Sequence, residues 1–246
     1  MNIDYNHSDN LHTLSGPRLA LPILFADTKP SSVLDVGCGT GTWLKAAQEL
    51  GITDIFGVDG VEVPADRLHI PIEKIRHQDL TKPWDLQRRF SAVFCFEVAE
   101  HLAGDFAPIL IDALVKHGDA VFFSAACPGQ RGQHHVNCQW PAYWQKLFNE
   151  RGYVCSDEVR WQIWDDTRIE PWYKQNMFSA RRSPANAGQE PRIKAVVHPE
   201  MARMGMYDEL SFEEHVKRIE GGHMLWRWYW KALVGAFSEK LKNRIS

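Results

Sequence analysis

An apolar run that breaks into alternating glycines constrains this 246-residue chain more than any other stretch. Residues 33–44 read VLDVGCGTGTWL, and apolar residues resume at helical spacing after the last glycine. The pattern predicts a strand, a tight turn and a helix whose unpaired N–H groups face a ligand, because glycine permits left-handed backbone and close approach. The dehydrogenase pattern Gly-x-Gly-x-x-Gly would place its third glycine one residue beyond Gly41, and Asp35 lies inside the strand end. We therefore expect a nucleotide-like cofactor of another kind.

The spacing Asp-x-Gly-x-Gly-x-Gly resembles the first motif of the class I S-adenosylmethionine (SAM) methyltransferases, and Asp35, Gly37, Gly39 and Gly41 match it without a gap. The resemblance implies SAM as the cofactor and a doubly wound, Rossmann-like α/β fold with a mostly parallel seven-stranded sheet. It also implies that Asp35 meets the ammonium group of the cofactor, directly or through water. An ordinary glycine-rich turn in another doubly wound domain is the alternative. The cofactor-binding residues implied in this loop are Asp35, Gly37, Cys38, Gly39, Gly41, Thr42 and Trp43.

Acids follow each of the next two predicted strands. The strand over 54–59 ends at Asp59, which is followed by Gly60. An acid about 20 residues past a glycine loop, at the end of the following strand, is placed to accept hydrogen bonds from ribose hydroxyls. A third strand over 74–78 leads to Asp79 and Leu80, where the resemblance implies contacts with the adenine amino group and ring. Either acid could instead be an ordinary turn residue.

A buried strand over 91–96 runs into Glu97, Glu100 and His101. If a helix starts near Glu97, these three side chains share one face. The segment resembles the Glu-x-x-Glu-His of small-RNA 2′-O-methyltransferases and some quinone-pathway O-methyltransferases, which with a later histidine, here His135, holds a divalent cation. The same letters occur in relatives without a metal, and carboxylates that open a helix are stabilised by its dipole, so we expect no metal. Glu97 and His101 remain catalytic candidates, and Glu97 is also expected to face the cofactor.

The loop over 127–141 follows an apolar strand over 120–126 and is rich in glycine and hydrogen-bonding side chains. It leaves the same sheet edge as the other two loops, so we expect it to form the acceptor pocket. It is similar to the His-Val-Asn-x-Gln segment, followed by Tyr-Trp, of one bacterial branch of these methyltransferases. His135 is the candidate general base, because an imidazole titrates near neutrality; the alternative is that it only binds the acceptor. The candidate acceptor-binding residues are His134, Asn137, Trp140, Tyr143 and Trp144.

The resemblance ends near Arg182, so we expect residues 1–182 to form the methyltransferase domain with an N-terminal lid. Strands six and seven are predicted over 153–161 and 175–180. Residues 183–246 are expected to be a linker and an α-helical C-terminal appendage.

Within this appendage a short strand is predicted over 193–197 and helices over 211–220 and 224–242. The last helix carries Trp226 and Trp230 on one side, a stripe that must be covered. Packing on the core or on a second subunit is the first interpretation, which includes a homodimer; contact with a membrane surface is a weaker one.

Composition limits the kinds of partner that we expect for this chain. The net charge of −3 provides no basic surface, so we do not expect nucleic acid to bind. No apolar run approaches the roughly 18 residues that span a bilayer, and the polar residues 1–10 do not resemble a signal peptide. Five cysteines are an odd number, which does not suggest a disulfide framework. We therefore expect a cytoplasmic protein with a small-molecule substrate.

Together these patterns predict a SAM-dependent methyltransferase that acts on oxygen or nitrogen of a small polar acceptor, such as a metabolite, a natural-product intermediate or a sugar. A noncatalytic SAM-binding regulatory protein is the first alternative. A nicotinamide-dependent oxidoreductase is a lesser one, because the third glycine is misplaced for it.

Overall fold

A computed structural model of the chain describes residues 13–206 and, beyond them, Trp226, Tyr229, Trp230 and Leu233. Its strands, numbered along the chain, are β1 (Ser32–Val36), β2 (Asp54–Asp59), β3 (Ile75–His77), β4 (Ala92–Phe96), β5 (Ala120–Ser124), β6 (Tyr153–Ser156) and β7 (Phe178–Arg182). They form a seven-stranded sheet in the order β3-β2-β1-β4-β5-β7-β6. β7 runs antiparallel to both of its neighbours, β5 and β6, and the other pairs of neighbouring strands in this sheet are parallel. The predicted doubly wound, mostly parallel α/β fold is confirmed.

The order of the strands places a crevice beside β1. The chain moves outward from β1 to β2 and β3 and then returns to β4 on the other side of β1. Where an open parallel sheet reverses direction in this way, the carboxyl ends of the two central strands flank a ligand-binding crevice. All five residues of β1 and all five of β4 are buried, as expected for central parallel strands.

Helices cover both faces of the sheet. The helices are α1 (Ser15–Leu24), α2 (Thr42–Glu49), α3 (Ala107–His117), α4 (Pro141–Asn149), α5 (Glu158–Ile163), α6 (Pro171–Asn176) and α7 (Pro199–Arg203). Side chains of β1 alternate between the two faces, so Val33 packs in the core cluster that includes α1 and α2, while Leu34 packs in the cluster that includes α3 and α4. No helix among the described residues has both the length and the apolar character that crossing a membrane requires.

Three predicted elements differ from the structure. The strand predicted over 153–161 stops at Ser156 and continues as α5. The strand predicted over 175–180 begins only at Phe178, because Pro171 opens a helix that extends to Asn176. Residues 193–197 form no strand.

The segment after Arg182 packs on the sheet domain as far as the structure describes it. Ile193 belongs to the hydrophobic core, and Met201 is fully buried. The buried ammonium of Lys174 in α6 contacts the carboxylate of Glu200 in α7 at 2.7 Å. The division of the chain at residue 182 stays a prediction.

Several predicted features of the two ends fall outside the described residues. The N-terminal lid up to residue 12 and the helix over 211–220 are among them. Of the last predicted helix, four residues are described, and all four are helical.

Candidate active site

The glycine loop connects β1 to α2 as a left-handed turn. Gly37, Gly39 and Gly41 have φ angles of +79°, +51° and +80°. The N–H groups of Gly37 and Cys38 donate to the carbonyl of Val58 at 2.8 and 3.1 Å, which ties the loop to β2. A Cβ atom at Gly37 would overlap the side chain of Val98, the residue that follows Glu97. Only glycine fits here, and the predicted strand, turn and helix are confirmed.

Asp59 at the end of β2 holds the glycine loop in place. Its Oδ2 accepts a hydrogen bond from the N–H of Gly39 at 2.7 Å, and its Oδ1 accepts one from Val61 at 2.8 Å. A carboxylate oxygen has two lone pairs, so these contacts leave capacity for further donors. The binding of ribose by Asp59 stays a prediction, as does the role of Gly60. The bond to Gly39 was not expected from the sequence.

Asp35 lies beneath the glycine loop, in the middle of β1 between β2 and β4. Its side chain is buried, and Oδ2 has no hydrogen-bond partner among the described residues. Burial, and next the negative charge of Asp59, raise the pKa of this carboxyl to about 7. A cationic donor near Asp35 would supply the missing partner, which fits the predicted contact with the ammonium group of SAM.

Asp79 follows β3 and takes part in a tight turn. Its Oδ1 accepts hydrogen bonds from the hydroxyl and the N–H of Thr81 at 2.6 and 3.0 Å, and its Oδ2 lies 2.9 Å from the ammonium of Lys82. The hydroxyl of Thr81, and then Lys82, hold the pKa of this carboxyl well below its usual range. Leu80 is buried. The geometry is that of a turn residue, and the predicted adenine contacts of Asp79 and Leu80 are not tested by it.

A cavity of about 260 Å³ joins the glycine loop to the end of β4 and to the loop after β5. The glycine loop and α2 contribute five lining residues, the end of β4 contributes four, and the remainder come from the loop after β5, α6 and the segment after α7. The lining residues are Gly37, Cys38, Gly39, Thr42, Trp43, Phe96, Glu97, Glu100, His101, Gln130, Arg131, Gly132, Gln133, His135, Trp172, Tyr173 and Met206.

Glu97 holds an unusual backbone conformation at this cavity. Its φ is +54°, which is rare for a residue other than glycine and recurs at functional sites. Its N–H donates to the carbonyl oxygen of Ser124 at 2.9 Å. Its carboxyl accepts hydrogen bonds from Gln130 Nε2 at 3.2 Å and Asn176 Nδ2 at 3.2 Å. Burial raises the pKa of Glu97, and the hydrogen bonds from its neighbours oppose that rise.

The expected helix at Glu97 does not form, and this changes which side chains converge. A short 3₁₀ turn spans Ala99–His101 instead. Ligand atoms of Glu100, His101 and His135 all lie within 4.8 Å of one another, and Glu97 is not part of this group. The prediction that Glu97, Glu100 and His101 share one helical face is therefore wrong, although two of the three do meet His135. The group has the composition of a metal site, and whether it binds a metal is not tested by the geometry.

Burial controls the charge of this group. It raises the pKa of Glu100 well above its usual range, and the negative charge of Glu97 adds to the effect. It lowers the pKa of His101 to about 4, helped by the nearby imidazole of His135. It also lowers the pKa of His135, whose Nδ1 lies 3.0 Å from the carbonyl oxygen of Gln130. At neutral pH the two imidazoles are therefore uncharged.

The remaining predicted acceptor-binding residues do not line the cavity that contains Glu97. His134 is exposed, with φ at +52°, and Asn137 is buried, with its N–H donating to the carbonyl of Glu100 at 3.0 Å. Trp140 and Tyr143 line a separate surface cleft, and Trp144 packs in the core against Phe123. The role of all five in acceptor binding stays a prediction.

Sequence reasoning missed the two amide side chains that hold Glu97. Gln130 and Asn176 are 46 residues apart, yet Asn176 Nδ2 donates to Gln130 Oε1 at 3.0 Å. No local pattern could reveal a contact of this range. Trp172 and Tyr173 of α6 also line the cavity.

Comparisons with known proteins agree with this fold and show the family of the chain. Residues 7–156 match a family model described as a methyltransferase domain. The crystal structure of magnesium protoporphyrin IX methyltransferase from Synechocystis PCC 6803 with bound SAH has the same fold, with a TM-score of 0.50 and 17% identity over 67% of this chain and 80% of that chain.

Two curated proteins are similar in sequence. A dTDP-3-amino-3,6-dideoxy-alpha-D-glucopyranose N,N-dimethyltransferase of Streptomyces fradiae is 43% identical over 83 residues, which cover 31% of this chain and 30% of that protein. A ubiquinone biosynthesis O-methyltransferase of Neisseria meningitidis serogroup C (strain 053442) is 31% identical over 137 residues, which cover 51% of this chain and 57% of that protein. The aligned regions thus span less than two thirds of either relative. Since the family model covers more than half of the chain, the protein belongs to the class I SAM-dependent methyltransferases.

Proposed function

We propose that this protein is an enzyme that transfers the methyl group of SAM to oxygen or nitrogen of a small polar acceptor. The observation that carries the proposal is the cavity that runs from the glycine loop to Glu97 and His135. One end offers backbone and small residues to a cofactor, and the other offers neutral imidazoles to an acceptor. The two curated relatives, an N,N-dimethyltransferase and an O-methyltransferase, have activities of the same class, which supports the proposal.

Methyl transfer requires the protein mainly to align the reacting atoms. The sulfonium of SAM is already a good leaving group, so placing the acceptor atom, the methyl group and the sulfur in line can supply most of the rate. The glycine loop, Asp35, Asp59 and Trp43 would hold the cofactor.

His135 has the properties of a general base. A carbonyl oxygen can only accept, so the hydrogen of the neutral imidazole is assigned to Nδ1, which donates to Gln130 O at 3.0 Å. Nε2 then carries a lone pair that can take a proton from the acceptor. His101, whose ring centre lies 5.1 Å from that of His135, is the second candidate, and Glu97 is the third.

We propose that catalysis needs no metal, and chelation provides the test. Burial raises the pKa of Glu100 and so disfavours its ionised form, and an uncharged carboxyl is a poorer metal ligand than a carboxylate. Dialysis against a chelator should leave the methyl-transfer rate unchanged. Loss of activity that a divalent ion restores would show that Glu100, His101 and His135 hold a metal.

The remaining partners and the location are also proposals. All five cysteines are free thiols, which suits a reducing cytoplasm. Exposed Trp226, Trp230 and Leu233 suit contact with a second copy of the chain, with a membrane surface as the weaker choice. A net charge of −3 favours a small molecule over nucleic acid.

The proposed function is tested by cofactor turnover. The full chain is incubated with SAM and a panel of amines, alcohols and sugars, and S-adenosylhomocysteine is measured. Acceptor-dependent release of this product supports the proposal. Tight binding of SAM without turnover would favour the noncatalytic alternative, and binding of a nicotinamide cofactor in place of SAM would favour an oxidoreductase.

A further inference from the structure

Three buried amide side chains form a cluster beside Glu97. Gln130, Gln175 and Asn176 are each at most 5% exposed, and we call them the amide cluster. Gln175 Nε2 donates to Gln130 Oε1 at 3.1 Å and to Asn176 Oδ1 at 3.0 Å. Asn176 Nδ2 donates to Gln130 Oε1 at 3.0 Å. A buried network whose members bond to one another in this way holds each of them in one arrangement.

The hydrogen-bond directions in the amide cluster are fixed from one end. The backbone N–H of His198 can only donate, and it donates to Gln175 Oε1 at 2.8 Å. The Nε2 of Gln175 then faces the oxygens of the other two amides, whose NH₂ groups are turned toward Glu97. Gln130 Nε2 and Asn176 Nδ2 each donate to the carboxyl of Glu97 at 3.2 Å. The backbone at His198 therefore sets which groups the cluster presents to Glu97.

Gln130 connects the amide cluster to the loop that carries His135. The carbonyl oxygen of Gln130 accepts the Nδ1–H of His135 at 3.0 Å. The N–H of the next residue, Arg131, donates to the carbonyl of Met206 at 2.6 Å. Gln130 thus holds Glu97 through its side chain and His135 through its backbone, so a shift of Gln130 would move both groups.

His198 is itself firmly held where it meets the amide cluster. It is 4% exposed, and its Nε2 lies 2.8 Å from the carbonyl oxygen of Trp164. Its Nδ1 accepts a hydrogen bond from the N–H of Glu200 at 3.2 Å. These contacts fix the position of the backbone N–H that Gln175 binds.

We propose that Gln175 is a positioning residue for methyl transfer, an inference that rests on the proposed function. It fastens the segment over 193–206 to Gln130. Through Gln130 it keeps the carboxyl of Glu97 and the imidazole of His135 in place. A displacement of about 1 Å in a reacting group can cost roughly 10²-fold in rate, so loss of the contacts of Gln175 should slow methyl transfer.

A second buried glutamine provides a matched control. Gln145 is 5% exposed, and its Oε1 accepts the N–H of Ile193 at 2.9 Å, as Gln175 accepts that of His198. The Nε2 of Gln145 donates to the carboxylate of Glu190 at 3.1 Å rather than to the amide cluster. Methionine is unbranched and adapts to the space of a glutamine. Gln145→Met and Gln175→Met each remove one contact with the segment, but only Gln175→Met also removes contacts within the amide cluster.

The rate of methyl transfer separates the two variants. It is measured for the full chain with the acceptor found in the turnover panel, and circular dichroism checks the fold. Gln175→Met should lower kcat at least about tenfold, and Gln145→Met should change it by less than about twofold. SAM affinity should be unchanged in both, since Val58 and Asp59 hold the glycine loop. A wild-type kcat in Gln175→Met, an equal loss in both variants, or loss of SAM binding in Gln175→Met would overturn the inference.

Cys138 gives a second measurement that needs neither cofactor nor acceptor. It is half-buried, whereas the other four cysteines are buried, and its Sγ lies 4.0 Å from the carbonyl oxygen of Gln130. Its reaction with an aromatic disulfide reagent, located by mass spectrometry, should be faster in Gln175→Met than in the wild type or Gln145→Met, because Gln130 is less firmly held. Equal rates in the three proteins would overturn the inference. Absence of acceptor-dependent turnover in the wild type would instead contradict the proposed function.

Native-state hydrogen exchange of the wild type tests the inference even where Gln175→Met does not fold. The N–H of Gln130 donates to the carbonyl of Cys127 at 3.0 Å, and the N–H of His198 donates to Gln175. If Gln175 couples the segment to the loop, both N–H groups become exposed in one opening, with equal slopes as urea is raised. Protection of the Gln130 N–H that persists after the His198 N–H has lost its own would show separate openings and overturn the inference.

Discussion

The imidazole of His135 is held in one orientation by the loop that carries it. Its Nδ1 contacts the carbonyl of Gln130, and a Cβ atom at Gly132 would overlap its ring, so the ring requires a residue without a side chain at position 132. This is the arrangement expected of a group whose Nε2 must be aimed at an acceptor.

Replacement of His135 by alanine should lower kcat by roughly 10²–10⁴ and leave SAM affinity unchanged. Because burial lowers the pKa of His135 below its ordinary value of 6.5, the imidazole is the active, neutral form at pH 7 and loses activity only as pH falls through that lowered pKa. The acidic limb of the wild-type kcat profile should therefore have its midpoint below pH 6.5 and be absent from the variant. A variant that keeps kcat but raises the acceptor KM would make His135 a binding residue, and His101 would be the next base to test.

Asp59 serves both the loop and, in our account, the cofactor. Asp59→Ala should weaken SAM binding by about 1–3 kcal/mol, because it removes the acceptor of the Gly39 N–H as well as the proposed ribose contact. Asp59→Asn, which keeps one acceptor oxygen, should lose less. Calorimetry measures both affinities, and circular dichroism checks the fold. Unchanged affinity in folded Asp59→Ala would remove this residue from the cofactor site.

At the residue scale, register along the chain was enough to place Asp59 at the end of β2 and Gly37 in the left-handed turn after β1, because both positions follow directly from a strand and a loop of fixed length; their contacts with the cofactor stay predictions. It was not enough for Gln130 and Asn176. These amides reach Glu97 from loops and helices far apart in sequence, and only the folded sheet brings them together.

The strand, glycine loop and helix form an element that tolerates little change. Gly37→Ala and Gly188→Ala place a side chain at nearly the same backbone angle, φ of +79° and +80°. At Gly188 no described heavy atom lies within 4 Å of the new Cβ, whereas at Gly37 it overlaps Val98. Gly188→Ala should lower the free energy of unfolding by about 1–2 kcal/mol from backbone strain alone and leave SAM affinity unchanged.

Gly37→Ala should lower the free energy of unfolding by more than Gly188→Ala does. It should also abolish SAM binding, because the overlap of the new Cβ with Val98 must displace the glycine loop. Urea unfolding and calorimetry report the two quantities. If both variants bind SAM as well as the wild type, the glycine loop is not the cofactor site.

At the element scale, runs of buried apolar residues located the central strands to within about two residues. Parallel strands that are covered on both faces are continuous apolar runs, so their ends can be read directly from the sequence. The errors came where polar side chains are buried. Gln175 and Asn176 were assigned to a strand, but they end α6 and turn their amides inward. A helix start near Glu97 was considered as a condition for a shared face, but hydrogen bonds to Ser124 and Asn176 hold Glu97 in a left-handed conformation.

At the scale of the whole molecule, the segment after Arg182 closes one side of the site. Met206 lines the cavity, and its carbonyl accepts a hydrogen bond from the N–H of Arg131 at 2.6 Å. The segment is fastened by the contact of Lys174 with Glu200 at 2.7 Å, in which the Lys174 side chain is fully buried. The linker-like composition after Arg182 did not predict that the segment packs on the domain. The contact joins Lys174 and Glu200, which are far apart in the sequence, and composition carries no information about such a pair.

Removal of Glu200 tests how firmly this segment belongs to the domain. Glu200→Ala leaves the buried ammonium of Lys174 without its counter-charge and should lower the free energy of unfolding by about 3 kcal/mol. This value is at the lower end of the range for breaking a buried ion pair, because Glu200 is partly exposed. The double variant Lys174→Met with Glu200→Ala should recover part of that loss. A loss below about 0.5 kcal/mol in Glu200→Ala would mean that the segment is only loosely attached.

The central claim is that the cavity beside β1 and β4 is a SAM site whose cofactor end and acceptor end are separate. The most direct test is a calorimetric titration of the full chain with SAM, carried out for the wild type, Gly37→Ala and His135→Ala. We predict about one SAM bound per wild-type chain, no binding to Gly37→Ala and unchanged affinity in His135→Ala. Absence of binding to the wild type, or equal loss in both variants, would contradict the account.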